Sequence, residues 1–252
     1  MVIHFYKDLN KIHMCYSNNE YYNITEEDQL KLLTCDTIIF EGFFNRPLNE
    51  INIPKNIKKI KFVSNFTSSL NGLHDDIEQL DFNDNFNNSV DCLPKNLKIL
   101  KLGYYFNQPL DNLPCNLEEL YLPPLYNLPI NFLPSGLKKL DFANGSRFSQ
   151  SLDYLPNGLK ELNIPKYYQN EINYLPDSIE DLKIGIVKKL ELNEKNSYFE
   201  CERVTYSDYG PFFKNILNLP ANLKVLRIFW DYFYLNELKK KFGEDKIIVY
   251  KN

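Results

Sequence analysis

Histidine, methionine and tryptophan are scarce here, with three, two and one copies in 252 residues. General acid–base catalysis needs a few convergent titratable groups, histidine most often, so the thin supply argues against an enzyme. No GxSxG, P-loop, GxGxxG or HExxH pattern is present. The five cysteines (Cys15, Cys35, Cys92, Cys115, Cys201) are odd in number and scattered, with no CxxC pair. That spacing argues against a disulfide framework and a zinc site, and leaves reduced core thiols as the expectation. No apolar run reaches the roughly 18 residues of a membrane-spanning helix, and Met1 to Asp8 lacks the basic-then-apolar order of a signal peptide. The expected location is the cytoplasm or, for a viral protein, the cytoplasm of its host. A net charge of -4 gives no broad attraction to nucleic acid or anionic lipid, so neither is an expected partner. No catalytic, metal-binding or cofactor-binding residue is assigned, and no cofactor is expected.

What the chain does have is an internal period. Ile53-Pro54, Leu73-His74, Leu93-Pro94, Leu113-Pro114 and Leu133-Pro134 recur every twenty residues, and Leu155-Pro156, Leu175-Pro176 and Leu219-Pro220 continue the series. After each pair comes an LxxLxL unit, as in Leu97/Leu100/Leu102 or Leu117/Leu120/Leu122. Eight in-phase copies are a far stronger signal than any short motif. A ninth, worn copy reads as Cys201/Val204/Tyr206, and Ile38/Phe40 supply an incomplete first strand.

Within each copy the alternation Leu120-Tyr121-Leu122 has the period of a short strand with one buried face. The recurring proline removes a backbone donor, and the period is too short for a long return helix. The expected fold is a leucine-rich-repeat solenoid: a right-handed superhelix with a concave parallel β-sheet, a convex side of short extended or 3₁₀ segments, and atypical terminal caps. Residues 1–36 read as the N-terminal cap, a hairpin plus a short helix. Residues 37–230 read as the array, and 231–252 as a C-terminal cap of helix plus strand.

The segment Phe106-Asn-Gln-Pro-Leu-Asp-Asn-Leu-Pro-Cys-Asn-Leu-Glu-Glu-Leu-Tyr-Leu122 resembles the FNIP repeat, a leucine-rich-repeat variant of social amoebae and giant amoeba-infecting viruses. Variants are Phe44-Asn-Arg-Pro-Leu48, Phe86-Asn-Asn-Ser-Val90 and Tyr126-Asn-Leu-Pro-Ile130. The resemblance implies an interaction module; in some members the repeats follow an F-box that recruits a ubiquitin ligase. The residues before the array do not read as a three-helix F-box. From the residues themselves, the motif aromatic should fill the core at a corner. The next asparagine should bond backbone of adjacent turns, so that Asn45, Asn87, Asn107 and Asn127 form a partial ladder, less complete where Thr67, Ser149 or Gln169 stands.

Two surfaces are candidates for binding. On the sheet face, Lys101, Glu119 and Tyr121 sit among mixed charges that suit a protein partner, although a merely solvated face is the competing reading. At the loop edge, three junctions take six steps where four are usual, adding Arg147, Lys188, Lys189 and Tyr209. Neutral drift in loop length is the alternative there. His74, in place of a repeat proline, reads as a tolerated surface substitution, and His4 and His13 could face one another across the N-terminal hairpin. The expected function is a non-catalytic protein–protein interaction scaffold, with a protein partner and a monomeric state. The rivals are a ubiquitin-ligase substrate receptor and a self-assembling structural protein.

Overall fold

The computed structural model describes residues 2–6, 11–16, 30, 32–143, 145–165, 168, 170, 172–184, 219–229, 236, 239–240 and 243–250. Alternating apolar residues place strands at the expected phase. They are β1 Val2–Tyr6, β2 Lys11–Tyr16, β3 Thr37–Gly42, β4 Lys59–Phe62, β5 Gln79–Asp81 and β6 Ile99–Lys101, followed by β7 Glu119–Leu122, β8 Lys139–Phe142, β9 Glu161–Ile164, β10 Asp181–Ile184, β11 Val225–Phe229 and β12 Ile247–Tyr250. All twelve lie in one sheet in chain order. Only β1 is antiparallel, paired to β2 with His4 opposite His13, and β2 continues directly into β3 in parallel.

The register aligns Leu80, Leu100, Leu120, Leu140, Leu162 and Leu182, so each strand buries the same position against its neighbours. Two backbone devices recur with the repeat. Leu97, Leu117, Leu137 and Leu159 donate N–H to the proline carbonyl three residues earlier, which closes a turn before each strand. Then one carbonyl accepts two successive amides of the next repeat: Lys98 O takes Glu118 N at 2.8 Å and Glu119 N at 2.9 Å. These bonds replace the helix that a twenty-residue repeat has no room for; the return limbs are turns and bends, with a short 3₁₀ segment at Leu48–Glu50.

Behind the sheet the motif aromatics stack as one column. Phe44, Phe66, Phe86, Phe106, Tyr126, Phe148 and Tyr168 follow at centroid distances from 5.8 to 6.4 Å. Strands of a sheet lie about 4.8 Å apart. A wider step at the corner than at the strands is what a stack curved around its sheet requires, with the sheet on the concave side. In the first repeats the last strand position is also aromatic, and Phe62 and Phe82 stack on Phe66 and Phe86 at 4.2 and 4.0 Å. Where the junction lengthens after β8, Phe142 meets Phe148 at 4.7 Å and a 45° tilt instead. The extra residues turn at Gly145, whose φ of +76° suits glycine, and around the buried Ser146. The insertion is thus absorbed without moving Phe148 out of its column.

The asparagine ladder forms with a direction. Asn45, Asn87, Asn107 and Asn127 accept the amide N–H of Thr67, Asn107, Asn127 and Ser149 through their side-chain oxygens, at 2.8 to 3.0 Å. This corrects the expectation that copies with Thr67 or Ser149 are themselves less satisfied. Thr67 and Ser149 each donate their amide N–H to the preceding asparagine. Gln169 lies outside the described residues.

Two further expectations change, for His74 and for two of the cysteines. The worn copy at 201–206 lies outside the described residues, and β10 pairs directly with β11, Asp181 beside Val225. His74 is no surface substitution: its side chain is 15% exposed and its Nε2–H donates to the Pro54 carbonyl at 3.0 Å, one repeat back. Cys35 is buried as expected, but Cys92 and Cys115 are exposed, because they occupy turn positions outside the apolar register. The strand expected in the C-terminal cap is β12, which follows a 3₁₀ turn that ends at Lys246.

Candidate interaction surfaces

The sheet face carries the residues that alternate with the buried leucines. Around β7 the side chains engage one another. Tyr121 donates its hydroxyl to Glu119 Oε2 at 2.7 Å. Lys101 Nζ lies 4.9 Å and Lys139 Nζ 5.6 Å from the centroid of the Tyr121 ring, within cation–π range. Lys139 also pairs with Glu161 at 3.0 Å. Partial burial and the Glu119 carboxylate push the Tyr121 phenol up to about 12, so it stays a neutral donor. Burial draws the Lys139 ammonium down, but Glu161 and Tyr121 more than offset this and leave it raised. Further along, Asn163 donates to Asp141 at 2.8 Å and Arg227 grips Asp181 with Nε and a terminal nitrogen. The structure therefore brings Lys101, Glu119 and Tyr121 together as one cluster, and adds Lys139 and Glu161. Those two sit in the same column as Glu119, one and two repeats on, and the column spacing could have found them.

One residue earlier runs a column of alternating charge. Lys98 bonds Glu78 at 2.7 Å, Lys138 bonds Glu118 at 3.0 Å, and Glu180 bridges Lys160 at 3.0 Å and Lys224 at 2.6 Å. Lys224 and Lys160 hold the Glu180 carboxyl below its ordinary range, and the Glu78 carboxylate raises Lys98. The column lines an open depression of about 460 Å³ together with Asn116 and Cys115. From Glu78 to Lys224 these charges meet one another across repeats.

The turn tips present a third row, which the repeat pattern alone did not bring out. In the residue before each Leu-Pro step the chain carries Gly72, Cys92, Asn112, Phe132, Tyr154 and Tyr174. Gly72 has φ +105°, and a Cβ there would lie 2.4 Å from Asn49 N, so the row of side chains starts after it. Phe132, Tyr154 and Tyr174 are 70%, 64% and 48% exposed. Tyr174 is held in place: its amide donates to Asp153 Oδ1 at 3.1 Å and its hydroxyl to Asn157 Oδ1 at 3.3 Å. Burial works to raise the Asp153 carboxyl, but donors from Asn173, Tyr174 and Ser151 outweigh it and keep the group charged. The signal was a column of residue types at a fixed repeat position, with three successive aromatics where the consensus asks for none.

Of the loop-edge candidates, Arg147 is exposed at the corner after β8, where its amide N–H donates to the Pro124 carbonyl at 3.3 Å. No ion pair or ring contact ties it to the Tyr121 cluster. Lys188, Lys189 and Tyr209 lie outside the described residues. At the hairpin, His13 Nδ1 and Glu41 Oε1 are 2.7 Å apart. Among the described residues no helix is long and apolar enough to cross a membrane.

Stacked aromatic corners, a directional asparagine ladder and Leu-Pro turns are the structural form of a particular repeat, and the FNIP Repeat family model matches residues 89–125 and 106–145. Residues 89–145 carry FNIP repeats. The matched FNIP units run from the turn before β6 to the corner after β8, the stretch where the aromatic column and the asparagine ladder are both intact. A solved structure, CroV588, described as a novel circular LRR protein from a giant virus, superposes with a TM-score of 0.57 at 25% identity over 77% of this chain. That alignment takes in 27% of the longer CroV588 chain. No curated protein matches in sequence.

Proposed function

We propose that this protein is a non-catalytic scaffold for protein–protein interaction, acting in the cytoplasm. The observation that carries the proposal is the sheet-face cluster: Lys101, Glu119, Tyr121, Lys139 and Glu161 are locked together on a stacked scaffold, at fixed spacing and half-buried. A pre-positioned aromatic ring among ordered charges loses little side-chain freedom when a partner lands on it. Arg147, with Lys188, Lys189 and Tyr209, provides a second contact at the loop edge. Repeat families of this kind are generally interaction modules, which agrees with the reading.

Affinity purification with the full chain tests it. A partner held by the parent and lost by Lys101→Ala/Tyr121→Ala, with the melting temperature unchanged, supports the cluster as the contact. A folded parent that retains no partner across lysates and cross-linking conditions sinks the reading.

A further inference from the structure

The row of turn tips joins an open aromatic strip to charge of a single sign. Phe132, Tyr154 and Tyr174 follow one another in successive repeats, and no ring contact links any two of them. Each ring presents exposed surface to a ligand. One step earlier in each turn stand Asp91, Asp111, Asn131, Asp153 and Asn173, without a cation in that column. None of the three carboxylates has an ion pair: Asp91 and Asp153 are bonded by neutral donors only. Asp91 and Asp111 occupy adjacent repeats, so two like charges stand side by side where the strand column would have alternated them.

Size and charge together identify what this strip fits. The three rings expose on the order of 350 Å², less than half of the roughly 800 Å² that a folded partner or a second copy would cover. A short segment is the matching scale. Carboxylates in the same row as exposed aromatic rings, with Asp153 directly before Tyr154, favour guanidinium or ammonium groups, which stack on a ring or neutralise an acid. A phosphate backbone is repelled by the same row. Resting on the scaffold reading above, we propose that the turn-tip row from Asp91 to Tyr174 docks an extended arginine- or lysine-rich segment of a partner protein. Five tips span roughly 20 to 25 Å, the length of six or seven extended residues.

Fluorescence anisotropy with the full chain decides it, using three short labelled probes: arginine alternating with glycine, lysine alternating with glycine, and glutamate alternating with glycine. The arginine probe is expected to bind at least about tenfold tighter than the glutamate probe. Phe132→Ala/Tyr154→Ala/Tyr174→Ala should lose about that factor, while Tyr154→Phe/Tyr174→Phe keeps it, because the ring and not the hydroxyl makes the contact. Asp91→Asn/Asp111→Asn, on exposed side chains that the core does not need, should weaken the arginine probe and flatten its salt dependence. Equal affinity for the arginine and glutamate probes overturns the strip, as does an alanine variant or asparagine pair that binds like the parent. If cellular partners still co-purify while the arginine probe shows no preference, the strip falls and the scaffold reading stands. If neither binds, both fall.

Discussion

The strand-side charge column and the turn-tip row are built by the same stacking, one side chain per repeat at the same spacing, yet they treat charge in opposite ways. In the column, Glu78 meets Lys98, Glu118 meets Lys138, and Glu180 sits between Lys160 and Lys224. In the row, Asp91 and Asp111 stand side by side without a cation, and three aromatics stay open to solvent. Stacking forces equivalent residues close together, so each column either lowers the energy of the stack or leaves a cost. The column serves the register. The row pairs no opposite charges: Asp91 and Asp153 accept only neutral donors, some from the next repeat, and the unpaired charge and exposed rings point to a use outside the fold.

The comparison can be broken at its foundation by Leu120→Ala. That side chain is fully buried in mid-array, so the loss is expected to be about 2 to 5 kcal/mol, read by denaturant unfolding. A change below about 1 kcal/mol would mean that neither column rests on a packed stack.

A smaller effect, of opposite sign, is expected from Tyr126→Phe. Tyr126 and Tyr168 hold the same place in the aromatic column, but Tyr168 donates its hydroxyl to the Gln150 carbonyl at 3.0 Å and Tyr126 has no partner for a buried one. Removing the orphan should stabilise by about 1 kcal/mol, whereas Tyr168→Phe should cost a similar amount. Burial first, and the Asp111 charge second, raise the Tyr126 phenol far above its usual value. A raised folded pKa leaves stability intact below pH about 10 and removes it as pH climbs past the unfolded phenol value. Alkaline unfolding should therefore be less steep in Tyr126→Phe than in the parent, as followed by circular dichroism between pH 9 and 12 or so.

Glu118→Lys sharpens the comparison at lower amplitude. It puts like charges beside Lys98 and Lys138 and should cost less than about 1 kcal/mol, shrinking in high salt. Indifference to salt would remove the register role of the column. The smallest effect belongs to Asp111→Asn in the turn-tip row, where stability should hold or rise slightly because a like-charge neighbour is lost. A clear destabilisation there would show that the unpaired Asp111 charge serves the fold, and would take away the argument for an outside partner.

Much of the architecture was legible because a period repeats its evidence. Leu100, Leu120 and Leu140 announce their strands together, and the pleat then puts Lys101, Glu119 and Tyr121 on the face opposite the core. The copy at 201–206 lies outside the described residues, and a pattern marks an apolar segment but not the strand it pairs with. β11 sits beside β10 through its own backbone bonds and through Glu180–Lys224 and Asp181–Arg227. His74 misled in another way, since a histidine in a proline's place gives no sign that it will reach the Pro54 carbonyl of the previous repeat.

By itself, the sequence determined the repeat, the phase of its strands, the core leucines and the aromatic corner, because these follow from local periodicity and from the need to bury one face. Which side chains pair across repeats, which aromatics stay open at the turn tips, and where β10 finds its neighbour were decided only by the tertiary structure. Those are relations between residues twenty or more positions apart. Their energies depend on distance and exposure, which exist only once the turns are stacked.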